Sequence, residues 1–359
     1  MNQKTVVVGM SGGVDSSVAA YLLKQQGYNV IGVTMQIWQN ETHQQQSQNG
    51  GCCGISAVED ARRIAFKLDI PYYVMNFRQE FQKNVIDYFI SEYQHGRTPN
   101  PCIACNRYVK WEALLQRSKQ IGADFIATGH YAQIQKHPQT QRLTLKTSVT
   151  NAKDQTYALY NLTQQQLQYT LMPIGAYHKE EIRKIAEQID IKVSQKADSQ
   201  EICFIPDNDY SHFIETQTNK IYPSGDFVDI HGNVLGKHKG IIHYTIGQRK
   251  GLGISFGKPM YVYAIDVYKN QVILCENDAL FQNTLYADNI NFMGIEKIEN
   301  GMRLQAKIRY NHNKAWCTVR MINDKEIECI FDEPQRAITP GQAVVLYDGE
   351  YVAAGGTIK

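Results

Sequence analysis

The first residues in the chain that could do chemistry form a short glycine- and serine-rich segment. It consists of Gly9, Met10, Ser11, Gly12, Gly13, Val14, Asp15 and Ser16. An apolar, β-branched run at residues 4–8 precedes it, and a helical spacing of apolar residues follows. Small residues let the backbone approach an anion, while N–H groups and a helix dipole attract phosphate. The segment is neither a Walker A loop nor a dinucleotide fingerprint, so it predicts another kind of phosphate site; a glycine turn with a Ser/Asp helix cap is the alternative.

Three of the eight cysteines form a second candidate group. Cys102 and Cys105 lie in a C-x-x-C motif, one helical turn apart, in a turn that leads into a helix predicted from Tyr108. The N-terminus of that helix, with Arg107 and Lys110 close in sequence, is expected to favour the thiolate form. Cys203 lies in a separate loop. This set is one ligand short of a tetrahedral zinc site, but it suits an iron–sulfur cluster with one open iron, or two thiols that pass sulfur and close a disulfide.

The remaining cysteines are predicted to have no chemical role. Cys275, Cys317 and Cys329 lie in strand-like runs, where buried, inert packing is expected. Cys52 and Cys53 are adjacent and cannot easily share a disulfide or one metal, which favours a structural or incidental role.

Alternating strands and helices must position the phosphate segment and the thiols. The predicted strands cover residues 4–8, 29–34, 71–75 and 124–128, and the predicted helices begin at Asp15 or cover residues 56–68, 80–94 and 108–120. This alternation is typical of a doubly wound parallel sheet with helices on both faces. From Gly225 short alternating segments predict an antiparallel β region with a break near residues 277–283. A polar stretch at residues 41–51 is predicted to be a loop.

The length of 359 residues suits two or three domains. The predicted fold class is α/β: a doubly wound domain at residues 1–210, a small central β domain at 211–280 and a C-terminal β-barrel at 281–359. No apolar run approaches the ~20 residues that span a membrane, and the start lacks a signal-peptide pattern, so a cytoplasmic location with reduced thiols is expected. A net charge of +2 means that any nucleic-acid surface must be local.

One candidate for such a local surface lies in the C-terminal region. Arg303, Lys307 and Arg309 alternate with apolar residues, so a strand would carry basic side chains on one face. Tyr310 and Trp316 lie nearby in sequence, and the combination suits phosphate contact with base stacking. A solvated strand face is the alternative interpretation.

Several segments together resemble one family, the tRNA-specific 2-thiouridylases of the PP-loop ATP pyrophosphatase group. They are GMSGGVDSSVAA (9–20), GRTPNPCIACN (96–106), ATGHYA (127–132), KDQTY (153–157), DSQEICFI (198–205), YTIGQRKGLGI (244–254) and TPGQAVVLY (339–347). The resemblance implies ATP-dependent thiolation of the wobble uridine of tRNA at its 2-position, through an adenylated uracil oxygen and a cysteine persulfide. It also implies ATP with Mg²⁺ as cofactors, and tRNA and an upstream cysteine desulfurase or sulfur-relay protein as partners, with no membrane.

The resemblance further implies roles for individual residues. The phosphate segment, Met35 and Gly129 would bind ATP. Cys203 would carry the persulfide, and Cys105 would be a nucleophile that can form a disulfide bond with Cys203. The residues that border the target base would be Asn100, Pro101 and Cys102, and those that contact tRNA would be His130, Lys153, Asp154, Gln155, Arg309, Tyr310 and Gln342.

Cys102 departs from the family pattern, which has an aspartate at this position in its best-known branch. A carboxylate general base therefore cannot be carried over to this position. A third thiol keeps a [4Fe-4S] cluster held by Cys102, Cys105 and Cys203 as an alternative to the persulfide relay. Two other functions remain open: a PP-loop ligase that uses ammonia would need neither the three thiols nor an RNA-binding tail, and a non-catalytic iron–sulfur RNA-binding regulator would leave the phosphate segment unexplained.

Overall fold

The computed structural model describes residues 3–37, 55–190, 202–205, 207–255 and 257–359. The α-helices are α1 Val14–Gln25, α2 Ile55–Lys67, α3 at residues 78–94, α4 at residues 101–120, α5 Thr156–Leu159, α6 Gln164–Gln168, α7 Lys179–Gln188 and α8 Tyr210–Thr218. Within these ranges no helix is both long and apolar enough to cross a membrane. The predicted loop at residues 41–51 lies outside the described residues.

The strands fall into three sheets. They are β1 Thr5–Gly9, β2 Asn29–Gln36, β3 Tyr72–Asn76, β4 Phe125–Ala127, β5 Ala132–Lys136, β6 Leu143–Thr147, β7 Thr170–Leu171, β8 Gly225–Asp229, β9 Val234–His238, β10 Tyr261–Asp266, β11 Gln271–Cys275, β12 Phe281–Phe292, β13 Met302–Lys307, β14 Ala315–Asn323, β15 Glu326–Arg336, β16 Ala343–Asp348 and β17 Tyr351–Ile358.

The first sheet is parallel and covered by helices on both faces. Its strand order is β3-β2-β1-β4-β7, with β1 in the centre. Successive side chains of a strand point to opposite faces, so Val6 and Val8 pack with α1, α2 and α7, while Val7 packs with α3 and α4. The doubly wound α/β prediction is confirmed.

The second sheet is small and has the order β10-β11-β8-β9. The pairs β10–β11 and β8–β9 are antiparallel, as predicted. In contrast, β8 and β11 run parallel, with Val272 opposite Phe227. The region is therefore not wholly antiparallel. Each of these two strands forms an antiparallel hairpin with its own sequence neighbour, and the two hairpins join along edges that run in the same direction.

The third sheet closes into a barrel. Six strands follow the order β12-β15-β14-β13-β16-β17, and β12 also pairs with β17, which closes the ring. A short helical turn, Asn277–Leu280, precedes β12 at the predicted break. The hairpin of β5 and β6, which comes from the first part of the chain, extends this sheet through Lys146 opposite Tyr351. This pairing ties the barrel directly to the segment that follows β4.

Candidate functional site

The phosphate segment forms the loop between β1 and α1. Its backbone is folded tightly: Ser17 Oγ donates to the Gly13 carbonyl at 2.6 Å, and Ser11 N donates to Ser16 Oγ at 3.2 Å. Gly12 has φ +69°, and a Cβ there would stand 2.4 Å from the Ala57 carbonyl oxygen. Gly13 is the N-cap of α1 and no side chain caps that helix end. The structure thus lacks the Ser/Asp cap of the alternative interpretation, and leaves N–H groups of the helix start directed at the loop.

Asp15 is held on the first turn of α1 by two side chains from distant parts of the chain. The Tyr131 hydroxyl donates to Asp15 Oδ1 at 2.8 Å, and Lys179 Nζ donates to Oδ1 and Oδ2 at 2.8 and 2.9 Å. Lys179 is 6% exposed and is the first residue of α7, where the helix dipole disfavours a positive charge. Sequence reasoning missed both partners. A buried lysine in this setting places a fixed cation beside the phosphate loop.

Gly129 follows β4 and touches the same loop. A Cβ at Gly129 would stand 2.6 Å from Ser16 N and 2.7 Å from the Asp15 carbonyl carbon, so only glycine fits. On the other side, Met10 N donates to the Val33 carbonyl at 2.8 Å, two residues before Met35 in β2. The structure therefore brings the loop, Met35 and Gly129 to the carboxyl edge of the parallel sheet, where such folds bind ligands.

The two thiols of the C-x-x-C motif lie at the start of α4. The Asn100 side chain accepts hydrogen bonds from Cys102 N at 3.1 Å and Ile103 N at 3.3 Å, and Pro101 occupies the first helical position. The helix therefore begins at residue 101 and not at Tyr108, because the Asn-Pro pair is an N-cap followed by a favoured first residue. Cys102 is exposed and Cys105 is half-buried.

Residues Cys105–Leu114 of α4 are wound as a π-helix. Such windings are rare and occur often at functional sites.

Cys203 is half-buried and is anchored by its neighbour Phe204. The Phe204 ring packs edge-on against Phe81 and Phe89 of α3, at centroid distances of 5.7 and 5.4 Å. No group of three or more His, Cys, Asp or Glu side chains in the described ranges is arranged to hold a metal ion. The three thiols as placed here therefore do not fit the geometry of a cluster site.

His130 occupies the space between α4 and the nucleotide loop. Lys110 Nζ lies 3.4 Å from His130 Nε2, and His130 Nδ1 lies 2.7 Å from Thr128 Oγ1. The ring also packs against Trp111 at 5.6 Å. Burial, and next the positive charge of Lys110, lower the pKa of His130 well below its usual value. His130 is therefore neutral at pH 7, and its ring contacts α4 through Lys110 and Trp111.

Tyr310 and Asp154 lie near Cys102. Tyr310 follows β13 of the barrel, and Asp154 follows the β5–β6 hairpin. Burial raises the pKa of Tyr310 to about 12, with smaller contributions from the negative charges of Asp154 and Cys102. Asp154 accepts hydrogen bonds from Ser148 N at 3.0 Å and Thr156 Oγ1 at 2.6 Å, and burial raises the pKa of its carboxyl group. The predicted tRNA contacts Asp154 and Tyr310 thus share one site with the exposed thiol.

Gln342 and Gln155 make hydrogen bonds that fix neighbouring backbone. Gln342 Nε2 donates to the Thr98 carbonyl at 2.8 Å, and Thr98 N donates to the Pro340 carbonyl at 2.9 Å. Gln155 Oε1 accepts from Tyr131 N at 2.8 Å. A turn of the barrel is therefore tied to the turn that precedes Cys102. Lys153 ends a short helical turn beside this region and is half-buried.

The predicted basic face of the barrel is divided. Arg303 pairs with Asp332 through its Nη1, 2.7 Å from Oδ1, and lies over Trp316. Strand β13 ends at Lys307, which lies 5.9 Å from the ring centre of Tyr310. Arg309 follows the strand and donates to the carbonyl of Arg336. The predicted alternation nevertheless continues to Arg309, because Leu304, Ala306 and Ile308 are buried while the basic side chains between them are not. The basic face therefore has Arg303, paired with Asp332, at one end, and Lys307 and Arg309 at the other.

The other cysteines are placed away from this site. Cys275, Cys317 and Cys329 are buried in strands, which confirms their predicted packing role. A hydrogen bond with Cys317, followed by burial, raises the pKa of Cys329 well above its usual value, so the Cys329 thiol is not activated. Cys52 and Cys53 lie outside the described residues.

Comparisons with known proteins agree with this geometry. Residues 4–207 match the tRNA methyl transferase HUP domain, residues 211–276 the tRNA methyl transferase PRC-barrel domain, and residues 282–358 the aminomethyltransferase beta-barrel domain. A tRNA-specific 2-thiouridylase MnmA from Lachnoclostridium phytofermentans is 64% identical over 355 residues, 99% of each chain. That of Clostridioides difficile is 56% identical over 359 residues, covering 100% of this chain and 99% of the relative.

Proposed function

The chain belongs to the tRNA-specific 2-thiouridylase family, and we propose that it adenylates the 2-oxygen of the wobble uridine and then replaces that oxygen with sulfur. It is an ATP-using transferase that forms 2-thiouridine in tRNA. The observation that carries the proposal is the position of residues 128–130: Gly129 touches the phosphate loop, and its neighbour His130 touches α4, which bears Cys102 and Cys105. The phosphate loop is therefore adjacent to the helix that bears the proposed nucleophile Cys105.

ATP binds at the loop between β1 and α1, with Met35 and Gly129 beside it. Small residues and the uncapped start of α1 suit the phosphate chain. Lys179 supplies a buried cation next to Asp15, and a lysine of this kind is a common phosphate partner. Asp15 is the loop carboxylate that would hold a Mg²⁺ ion bound with ATP, because this ion is usually held by substrate phosphates and one or two carboxylates. Such an ion would offset the charge of the departing pyrophosphate.

The reaction proceeds in three displacements. The uracil 2-oxygen attacks the α-phosphorus, and the bond to pyrophosphate breaks. The terminal sulfur of a Cys203 persulfide then attacks carbon 2, and AMP leaves with the oxygen. The Cys105 thiolate attacks the Cys203 sulfur, so that the sulfur–sulfur bond breaks, sulfur stays on the base and a Cys105–Cys203 disulfide forms. A cellular thiol reductant must reopen that disulfide before the next turnover.

We assign the sulfur-transfer step to these two thiols and not to an iron–sulfur cluster. Among the described residues, no group of three or more His, Cys, Asp or Glu side chains is arranged to hold a metal ion. Cys102 then borders the target base together with Asn100 and Pro101, in a turn that is open to solvent at Cys102. The target base must leave its stack to reach this turn.

The tRNA surface extends from this turn onto the barrel. It comprises His130, Lys153, Asp154, Gln155, Arg309, Tyr310 and Gln342. The positions of two of these residues support the assignment: Gln342 donates a hydrogen bond to the Thr98 carbonyl in the turn before Cys102, and Tyr310 lies 5.9 Å from the Lys307 ammonium group.

We further propose domain boundaries at residues 210 and 280, a cytoplasmic location, and a cysteine desulfurase or sulfur-relay protein as the source of the persulfide. The location is supported by the need for tRNA, ATP and reduced thiols together.

The test is the dependence of ATP turnover on the second substrate. Purified enzyme with ATP should release AMP and pyrophosphate when unmodified tRNA is added, and not when ammonia and small carboxylic acids are added. Turnover stimulated by ammonia would support a PP-loop ligase instead. RNA binding without any ATP turnover would support a non-catalytic regulator.

A further inference from the structure

Lys110 lies on α4, the helix that bears Cys102 and Cys105, and contacts His130, the residue after Gly129. Lys110 Nζ donates to Asn106 Oδ1 at 2.8 Å and lies 3.4 Å from His130 Nε2. Both partners are neutral. In the part of the chain that the structure describes, no carboxylate pairs with Lys110. The side chain is half-buried, so its positive charge faces the site without a counter-charge.

The two partners of Lys110 are themselves fixed. Asn106 is 4% exposed and its Nδ2 donates to the Ala158 carbonyl at 2.9 Å, which leaves Oδ1 directed at Lys110. A lysine ammonium can only donate, so His130 Nε2 must accept, and His130 carries its proton on Nδ1 and donates it to Thr128 Oγ1. The ammonium group is therefore held at one point by two oriented acceptors.

The Lys110 ammonium group is close to the loop where ATP is proposed to bind. His130 is the residue after Gly129, and a Cβ at Gly129 would stand 2.6 Å from Ser16 N in the phosphate loop. On its other side, Lys110 lies on the same helix as Cys105. A partly buried cation with only neutral partners costs free energy, which a nearby anion offsets. In this reaction the anion between the loop and the base is the α-phosphoryl group.

We propose that Lys110 is a further catalytic residue that binds the α-phosphoryl group while it is transferred to uracil and while AMP later departs. Lys110 donates hydrogen bonds and moves no proton, so its role is to stabilise negative charge on the phosphoryl oxygens. Asn106 and His130 are positioning residues that hold the ammonium group. The inference rests on the proposed binding of ATP at the loop that contains Asp15.

The test compares Lys110→Met and Lys110→Arg with Lys83→Met, a change of an exposed lysine on α3. AMP formation is measured in a single turnover at saturating ATP and tRNA. We expect Lys110→Met to be roughly 10- to 100-fold slower, the usual effect of losing one charged hydrogen bond in the transition state. Lys110→Arg should recover part of the rate, and Lys83→Met should match the unaltered enzyme.

A second measurement separates a charge effect from a structural one. The pKa of His130, followed by NMR of its ring, should rise in Lys110→Met, because the neighbouring positive charge is gone. If Lys110→Met does not fold, Lys110→Gln replaces it, since glutamine keeps a donor without the charge. AMP formation at the unaltered rate in the variant used would overturn the proposal.

An Asp15→Asn variant distinguishes this inference from the proposed nucleotide site. If Asp15→Asn is inactive and the Lys110 variant is fully active, only the role of Lys110 is wrong. If both variants form AMP normally, ATP does not bind at the loop, and the role of Lys110 fails with it.

Discussion

Lys179 and Asp15 are separated by 164 positions in the sequence, yet the Lys179 ammonium lies 2.8 Å from Asp15 Oδ1. The pair joins the first residue of α7 to the first turn of α1. Because Lys179 is buried and Asp15 lies in the phosphate loop, the contact fixes both the carboxylate and a cation where ATP is proposed to bind.

Replacing Lys179 should therefore affect ATP chemistry and not RNA affinity. Removing one partner of a charged hydrogen bond costs ~1.5–3 kcal/mol, so Lys179→Met should lower kcat/KM for ATP roughly 10- to 100-fold. The dissociation constant for tRNA should stay unchanged. The matched control is Lys184→Met, which alters an exposed lysine on the same helix. Equal ATP kinetics for the two variants would contradict the assigned role of Lys179.

The barrel should contribute phosphate contacts through Lys307 and Arg309. Changing both to Ala should weaken tRNA binding and reduce the slope of log Kd against log salt by about one to two units. Arg303→Ala is the control, because Arg303 is already paired with Asp332 and its loss should alter the slope less. If Arg303→Ala alters the slope more than the double change does, the RNA passes over the opposite end of β13.

The state of His130 predicts how stability depends on pH. Its pKa in the folded protein is lowered, so the unfolded chain binds more protons between that value and ~6.5. The free energy of unfolding should therefore rise with pH through this window, and the contribution should be lost as pH falls through it. Urea unfolding of the unaltered protein and of His130→Gln, at several pH values, measures the difference. A difference between them that does not change with pH would mean that His130 is not buried as a neutral ring.

The sequence was sufficient to predict the parallel sheet and the glycine-rich loop between β1 and α1, because each follows from local patterns. It did not reveal Lys179 or Tyr131 as partners of Asp15, since these contacts depend on how distant segments meet. The start of α4 was misplaced because Asn100 and Pro101 resemble a turn unless the capping hydrogen bonds are seen. The β5–β6 hairpin was also missed, since its pairing with β17 is set by tertiary register.

The persulfide relay predicts different effects for the three thiols. Cys105→Ser and Cys203→Ser should each abolish 2-thiouridine formation, because one thiol carries the sulfur and the other releases it. Cys102→Ser should keep substantial activity, since Cys102 takes no part in the transfer. The variants must be assayed without oxygen and without iron. Loss of activity in Cys102→Ser, together with loss of broad absorbance near ~400 nm in reconstituted protein, would favour a cluster bound by three cysteines.

We propose that one ATP is consumed for each sulfur placed on tRNA, at a site that comprises the phosphate loop, Cys105 and Cys203. The most direct measurement incubates the iron-free protein with ATP, unmodified tRNA and a persulfide donor, and quantifies AMP and 2-thiouridine together by mass spectrometry. We expect equal amounts of AMP and 2-thiouridine, with neither product formed by Asp15→Asn. Thiolated tRNA formed without AMP, or AMP formed from tRNA that gains no sulfur in the presence of the donor, would contradict the proposal.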